Sequence, residues 1–363
     1  MKIATVEAIA LRLPFRHDGP PTGFGGRVWT TLDTLLVKVE TDAGITGWGE
    51  AFGFNCIPAT KAAIETQIAP LAVGLDARDI AGVARSLQRQ LHNFGRNGPV
   101  TFGLSGLDIA LWDIAGKAAS LPLHRLLGGA GRERIPAYAS VLRYGAPEAV
   151  GRVTAKAVGR GYRHIKLHEI TVEATAAARS AAGPDIAIML DTNCPWSFDE
   201  ALAMARRLER FELFWLEEPL WPPENHEGLA ALRERTETPI AAGENVASPM
   251  EFQSMFLAGA VDVAQPSVTK IGGVTAMREV MTLAAAHNVQ LTPHAPYFGP
   301  GLLATLHLIA ATPAPTLFER LYVDLDPGLF GSLTDAVDGM MRVPDAPGLG
   351  CDPDPEIIRR HTA

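Results

Sequence analysis

Two regimes of hydrophobic patterning divide the chain. In the N-terminal third, residues 6–13, 35–40 and 45–50 read as strands, and the turn cluster Thr41-Asp42-Ala43-Gly44 makes the last two a hairpin. Residues 60–70, 80–92 and 103–119 then place apolar side chains at three- and four-residue steps, as in Leu104, Leu107, Leu111 and Ile114. Strands first and helices afterwards predict a small α+β domain.

From about residue 134 the pattern alternates instead. Short apolar runs occur at 135–140, 163–168, 186–191, 212–217, 239–243, 261–265, 289–293 and 316–319, and amphipathic stretches such as 199–210 and 274–287 lie between them. Eight strand candidates separated by helical ones, at a spacing of roughly 25 residues, form a run of βα units. Right-handed crossovers make that run an open parallel sheet or a closed barrel, and eight is the number that closes. Gly272-Gly273 is an isolated pair, and no glycine-rich phosphate loop follows a strand. The expected fold is α/β: a modified TIM barrel, (β/α)7β, over 126–324, with an N-terminal α+β capping domain over 1–125 that is completed by roughly 325–363.

Composition narrows the class of function. Of 363 residues, 47% are hydrophobic and 20% charged, which suits a globular chain. The formal charge is −8 with no run of basic residues, which argues against a nucleic-acid partner. No stretch approaches the roughly 18 apolar residues of a membrane span. Met1-Lys2-Ile3-Ala4-Thr5-Val6-Glu7 turns charged too early for a secretory signal. The three cysteines, Cys56, Cys194 and Cys351, are far apart and form no Cys-x-x-Cys pair. A reduced, cytoplasmic protein without a membrane partner is expected.

Three successive strand candidates end in an acid: Asp191, Glu217 and Glu244, each one βα unit from the next. In a barrel these ends share one mouth, where enzymes of this fold keep their active sites. Three carboxylates there repel one another unless a cation neutralises them. A set of oxygen donors without His or Cys points to a hard divalent ion, Mg²⁺ being the usual choice. Any one acid alone is better read as a helix cap or a solvated loop residue; the succession is what carries the metal.

Basic groups flank the acids. Lys166 and His168 lie two apart on the second barrel strand and so point the same way. His294 ends the seventh, and Glu319 ends the last. Around a cation, two imidazoles on opposite sides of a substrate suit abstraction of the proton next to a carboxylate. The divalent ion and the ammonium stabilise the enediolate as it forms. Reprotonation from the other face gives epimerisation; protonation of a β-hydroxyl gives dehydration.

The motifs Trp48-Gly49-Glu50, the stretch from Ser105 to Lys117, and Leu126-Leu127-Gly128-Gly129 resemble the capping domain of the enolase superfamily. Asp191-Thr192-Asn193, Glu217-Glu218-Pro219, Gly243-Glu244-Asn245, Lys270-Ile271-Gly272-Gly273 and Pro293-His294 resemble the barrel motifs of its mandelate racemase and muconate lactonizing subgroups. Sites of that superfamily combine a Lys or His base with Mg²⁺. The resemblance implies Mg²⁺ held by Asp191, Glu217 and Glu244, with Lys166 supporting the substrate carboxylate. It puts His168 where the pattern has a second Lys, the base. Where the pattern places an Asp that partners the seventh-strand His, this chain has Ser267, so His294 is the easier to defend as an acid or hydrogen-bonding group. Glu319 matches an acid that bonds the substrate carboxylate, and Ser140, Asn193 and Ser267 are further candidate substrate contacts. Specificity is expected from the loops at 14–27 and 49–58, where Phe24, Phe52 and Phe54 offer an apolar wall.

The expected function is Mg²⁺-dependent removal of the α-proton of a small carboxylate, with dehydration of a sugar acid ahead of racemisation, epimerisation or cycloisomerisation. A barrel that binds acids without turning them over is the non-enzymatic alternative, motivated by Ser267. By analogy with relatives, a homo-oligomer is expected.

Overall fold

The computed structural model describes residues 1–23, 28–129, 132–314 and 316–363. Strands β1 (Ile3–Arg16), β2 (Thr31–Thr41) and β3 (Thr46–Ala51) form an antiparallel meander. Gly44, at φ 77°, makes the tight turn before β3. One face of this sheet buries Ala8, Ala10, Leu35, Val37, Val39 and Ala51 against helices, as the alternation of a half-buried strand requires.

The long helix Pro99–Ala119 lies on that face and is buried on most sides, because it also touches the barrel. Its motif residues are joints. Ser105 Oγ accepts from Gly272 N at 2.8 Å, and Asp108 Oδ2 accepts from Thr275 N at 2.9 Å. Asp113 takes the amides of Trp48 and Leu349 at 2.9 and 2.8 Å. Glu50, from β3, accepts the Gly301 amide at 2.8 Å. Ser105, Asp108 and Glu50 thus accept backbone donors of the barrel and fasten the cap to it, whereas Asp113 ties the long helix to β3 and to the C-terminal tail.

The barrel strands are β4 (Arg134–Ser140), β5 (His164–Leu167), β6 (Ala187–Asp191), β7 (Trp215–Glu217), β8 (Ile240–Ala242), β9 (Val263–Ala264), β10 (Gln290–Leu291) and β11 (Phe318–Leu321). They pair in parallel in the order β10-β9-β8-β7-β6-β5-β4-β11. Between the two ends of this ladder the Thr316 hydroxyl donates to Leu291 O at 2.6 Å, so a side chain bridges where the described residues show no backbone pairing. Seven helices follow the first seven strands, from Pro147–Gly159 to Pro300–Ala311. Their starts are fixed locally: Thr171, Asn225 and Ser248 cap three of them, and Ser197 with Glu200 forms a capping box on a fourth.

Inward side chains Tyr138, Met189, Trp215, Ala241, Val263 and Leu317 make a dry layer across the barrel. Burying each large apolar side chain contributes about 1.5–3 kcal/mol. The layer also floors the site with low-dielectric material, which makes any charge above it expensive unless paired. After β11 the tail joins both layers: β12 (Asp324–Leu325) pairs with β1 and Ala363 N donates to Ala10 O in the N-terminal sheet, while β13 (Met340–Arg342) runs antiparallel to barrel strand β4.

Candidate active site

Period-two alternation places the chemistry directly above the apolar floor. Met189 is followed two residues later by Asp191, Trp215 by Glu217, and Tyr138 by Ser140. Strand β8 stops at Ala242. Gly243 then adopts φ 142°, and a Cβ there would lie 2.8 Å from Gln265 N, so only glycine lets the chain turn and deliver Glu244. One carboxylate oxygen from each of Asp191, Glu217 and Glu244 lies within 4.8 Å of the others.

Lys166 stands beside them, fully buried. Its Nζ is 2.8 Å from Glu217 Oε1, 2.9 Å from Glu319 Oε1 and 3.3 Å from Asp191 Oδ2. Burial works against its charge, but the carboxylates of Glu217, Glu319 and Asp191 outweigh it and hold its pKa well above the ordinary value. Burial, reinforced by Asp191, pushes Glu217 up to about 8 despite Lys166. Glu218, buried next to the group and bonded by Asn245 Nδ2 at 2.8 Å, is raised further by burial and by Glu244. For Glu244 burial is overcome by His294 and Lys270, which bring it down to about 2.

Two histidines flank the acids. His168 Nε2 lies 3.2 Å from Asp191 Oδ2, and its Nδ1 donates to Val141 O at 2.6 Å. A carbonyl can only accept, so Nδ1 carries the hydrogen and the lone pair of the neutral ring sits on Nε2. Burial opposes a charge here too, yet Asp191 holds the His168 pKa above the usual imidazole value. On the other side His294 Nε2 lies 2.7 Å from Glu244 Oε2.

A cavity of about 380 Å³ joins the two. Ser140, Arg143, His168, Asn193, Glu244, His294 and Glu319 are among its polar lining, and Trp29, Phe52, Phe54, Leu142 and Leu321 among its apolar lining. Trp29 and Phe54 stack with centroids 5.6 Å apart, so the apolar wall is built as the loop sequence suggested, while Phe24 lies outside the described residues. Glu319 receives Ser140 Oγ at 2.8 Å and the Ala295 amide at 2.8 Å. Asn193 donates both its amides to Asp191 Oδ1, at 3.0 and 2.9 Å. Ser267 is wholly buried behind His294 and does not line the cavity, because its hydroxyl is turned to Tyr297.

Several contributors escape a reading of the sequence. Arg143 bonds His168 O at 2.8 Å, Asn193 Oδ1 at 2.9 Å and Thr192 O at 3.2 Å, which ties three loops of the mouth together. Trp29 comes from just past the first capping loop. Neither has a local pattern to betray it.

The donor set suits a hard cation. Asp191 Oδ2 is buried and accepts no hydrogen bond among the described residues, although Lys166 and His168 stand within 3.3 Å. An acceptor left over in a buried ring of oxygens is what a metal ion would use.

Comparison with known proteins agrees with this geometry. Residues 149–357 match the "Enolase C-terminal domain-like" family, and residues 22–128 match the "Mandelate racemase / muconate lactonizing enzyme, N-terminal domain" family. The chain belongs to the enolase superfamily. Among its superfamily relatives is arabinonate dehydratase of Saccharolobus solfataricus, 32% identical over 329 residues, which cover 88% of each chain. Another is D-galactarolactone cycloisomerase of Agrobacterium fabrum, 32% identical over 338 residues and again covering 88% of each. A solved racemase from Streptomyces coelicolor with bound magnesium superposes at a TM-score of 0.88, with 28% identity over 99% of this chain and 100% of that one. No helix among the described residues is long and apolar enough to cross a membrane.

Proposed function

We propose that this protein is a Mg²⁺-dependent dehydratase of a sugar acid. The observation that carries it is the pair of imidazoles opening on one cavity from opposite sides of the acid triad, with only one of them fixed as a base. Relatives acting as sugar-acid dehydratases support the same chemistry.

Asp191, Glu217 and Glu244 would hold the ion. Bound there, a divalent cation supplies positive charge to the substrate carboxylate as the α-carbon loses its proton. Lys166 offers a second, fixed positive charge beside the same group, and Ser140 and Glu319, bonded to each other, form the cavity wall on that side. His168 Nε2 takes the α-proton. The C–H electron pair becomes the new carbon–carbon double bond, and the β C–O bond breaks with its pair on oxygen. That oxygen takes a proton from His294 Nε2 and leaves as water, and the enol product tautomerises to a 2-keto-3-deoxy acid. Asn193 and Arg143 keep Asp191 and His168 in register. The aromatic wall of Trp29, Phe52 and Phe54 excludes water from the mouth.

The experiment is incubation with Mg²⁺ in D₂O over a panel of aldonic and aldaric acids, followed by NMR. A 2-keto-3-deoxy product with one of them is expected. Deuterium at C2 without a keto product would give the site to a racemase or epimerase. A lactone consumed without loss of water would favour the cycloisomerase reading, which the Agrobacterium relative motivates. Absence of both exchange and product across the panel would refute the enzymatic proposal.

A further inference from the structure

The sequence pattern leaves His294 without a carboxylate partner, since Ser267 stands in its place. The structure fills that space with a tyrosine. Tyr297 is buried, three residues past His294, and its hydroxyl bonds Ser267 Oγ. The same hydroxyl is 3.5 Å from His294 Nδ1, and Ser267 Oγ is 3.4 Å from that nitrogen. The Tyr297 ring meets the His294 ring edge-on, with centroids 6.1 Å apart at 85°, and is braced in turn by Phe52 at 6.5 Å and 81°. Among the described residues, then, Nδ1 of His294 faces two hydroxyls and no anion, while Nε2 faces Glu244 and the cavity.

We propose that Tyr297 is a positioning residue for His294: with Ser267 it forms a neutral hydroxyl pair that takes over the orienting role of a carboxylate. A carboxylate can only accept, so it would permit one tautomer of the ring. Hydroxyls both donate and accept. The neutral ring left when Nε2 gives up its proton carries its hydrogen on Nδ1, so Nδ1 donates to a hydroxyl oxygen of the pair before and after that step, and the ring holds its aim at the cavity. His168 is aimed by a backbone group instead, its Nδ1 hydrogen committed to the Val141 carbonyl. The two histidines are thus aimed by different partners, a backbone carbonyl for His168 and a hydroxyl pair for His294. The catalytic part of this inference rests on the dehydratase reading; the partner assignment does not.

The test uses the full chain with Tyr297→Phe, and Ser267→Ala as a second variant in case the first is poorly folded. In ¹⁵N-histidine NMR, each variant is expected to move the His294 Nδ1 resonance and leave that of His168 in place. An unmoved His294 resonance in both variants would overturn the assignment whatever the substrate proves to be. With Mg²⁺ and a turned-over sugar acid, Tyr297→Phe is expected to lower kcat for keto-acid formation about 10- to 100-fold, the usual cost of losing an orienting partner. KM and the rate of α-hydrogen exchange should stay within about twofold of wild type. The double variant Ser267→Asp/Tyr297→Phe is expected to recover product formation, because an acid again faces Nδ1. Parallel loss of exchange and product, or no recovery in the double variant, would reduce Tyr297 to a packing residue and overturn the proposal.

Discussion

Replacing Lys166 by Met separates the charge balance of the triad from its shape. Met fills much the same volume, but it removes the cation that three buried carboxylates share, with Nζ 2.8, 2.9 and 3.3 Å from Glu217, Glu319 and Asp191. Breaking a buried ion pair by deleting one partner costs about 3–5 kcal/mol. Protonation offsets part of that, since Glu217 already sits near pKa 8 and can hold a proton at neutral pH. A divalent ion supplies the missing charge to Asp191 and Glu217 directly, whereas Glu319 keeps Ser140 and Ala295. Saturation at about 100 times Kd stabilises a protein by about 2.7 kcal/mol, and each tenfold gain in affinity adds about 1.4. The variant should therefore be less stable than wild type in chelator, bind Mg²⁺ more tightly, and gain more from it. Urea denaturation with EDTA and with saturating Mg²⁺ measures all three. Equal stability of the two proteins in EDTA, or an equal Mg²⁺ increment, would refute the reasoning that Lys166 and the ion neutralise the same acids.

Three other perturbations probe separate parts of the account. His168→Asn should slow α-hydrogen exchange at least about 100-fold, the scale of a lost general base, while a Mg²⁺ titration by calorimetry stays nearly unchanged. His307 is wholly buried, and burial together with His124 pushes its pKa down to about 4. The unfolded chain thus binds a proton near pH 6.5 that the folded chain refuses, so this contribution is fully present above that pH and is lost as pH falls toward 4. Its full size is about 3 kcal/mol, and His307→Gln should flatten the fall in urea midpoint between neutral and mildly acidic buffer. Gly49→Ala would drive a Cβ into the Gly106 carbonyl oxygen, forcing β3 off the long helix, and should cost about 1–3 kcal/mol or more in the melting of the folded chain.

The fold was largely legible because its elements are periodic. All eight barrel runs reappear as strands, six of them shorter than the apolar runs, since hydrophobicity continues into the buried loops at the strand ends. The acids were legible for the same reason: a period of two links Met189 to Asp191 and Trp215 to Glu217. Glu244 and His294 lie beyond their strands rather than on them, and their aim depends on Gly243 and on contacts with neighbouring loops. Arg143, Trp29 and Tyr297 were not legible at all. Each matters through a partner far away in sequence or through a loop conformation, and a single chain carries no periodic trace of either. Segment 60–70 shows the converse, since a pattern that reads as one helix is interrupted by a π-helical turn at Ile64–Ile68.

Diffraction from crystals soaked in Mn²⁺, which shares the octahedral oxygen preference of Mg²⁺ and scatters anomalously, tests the centre of the account most directly. A single strong anomalous peak is expected among Asp191, Glu217 and Glu244, with one oxygen from each at roughly 2.1 Å. No peak there at saturating Mn²⁺, or a peak coordinated by other residues, would contradict it.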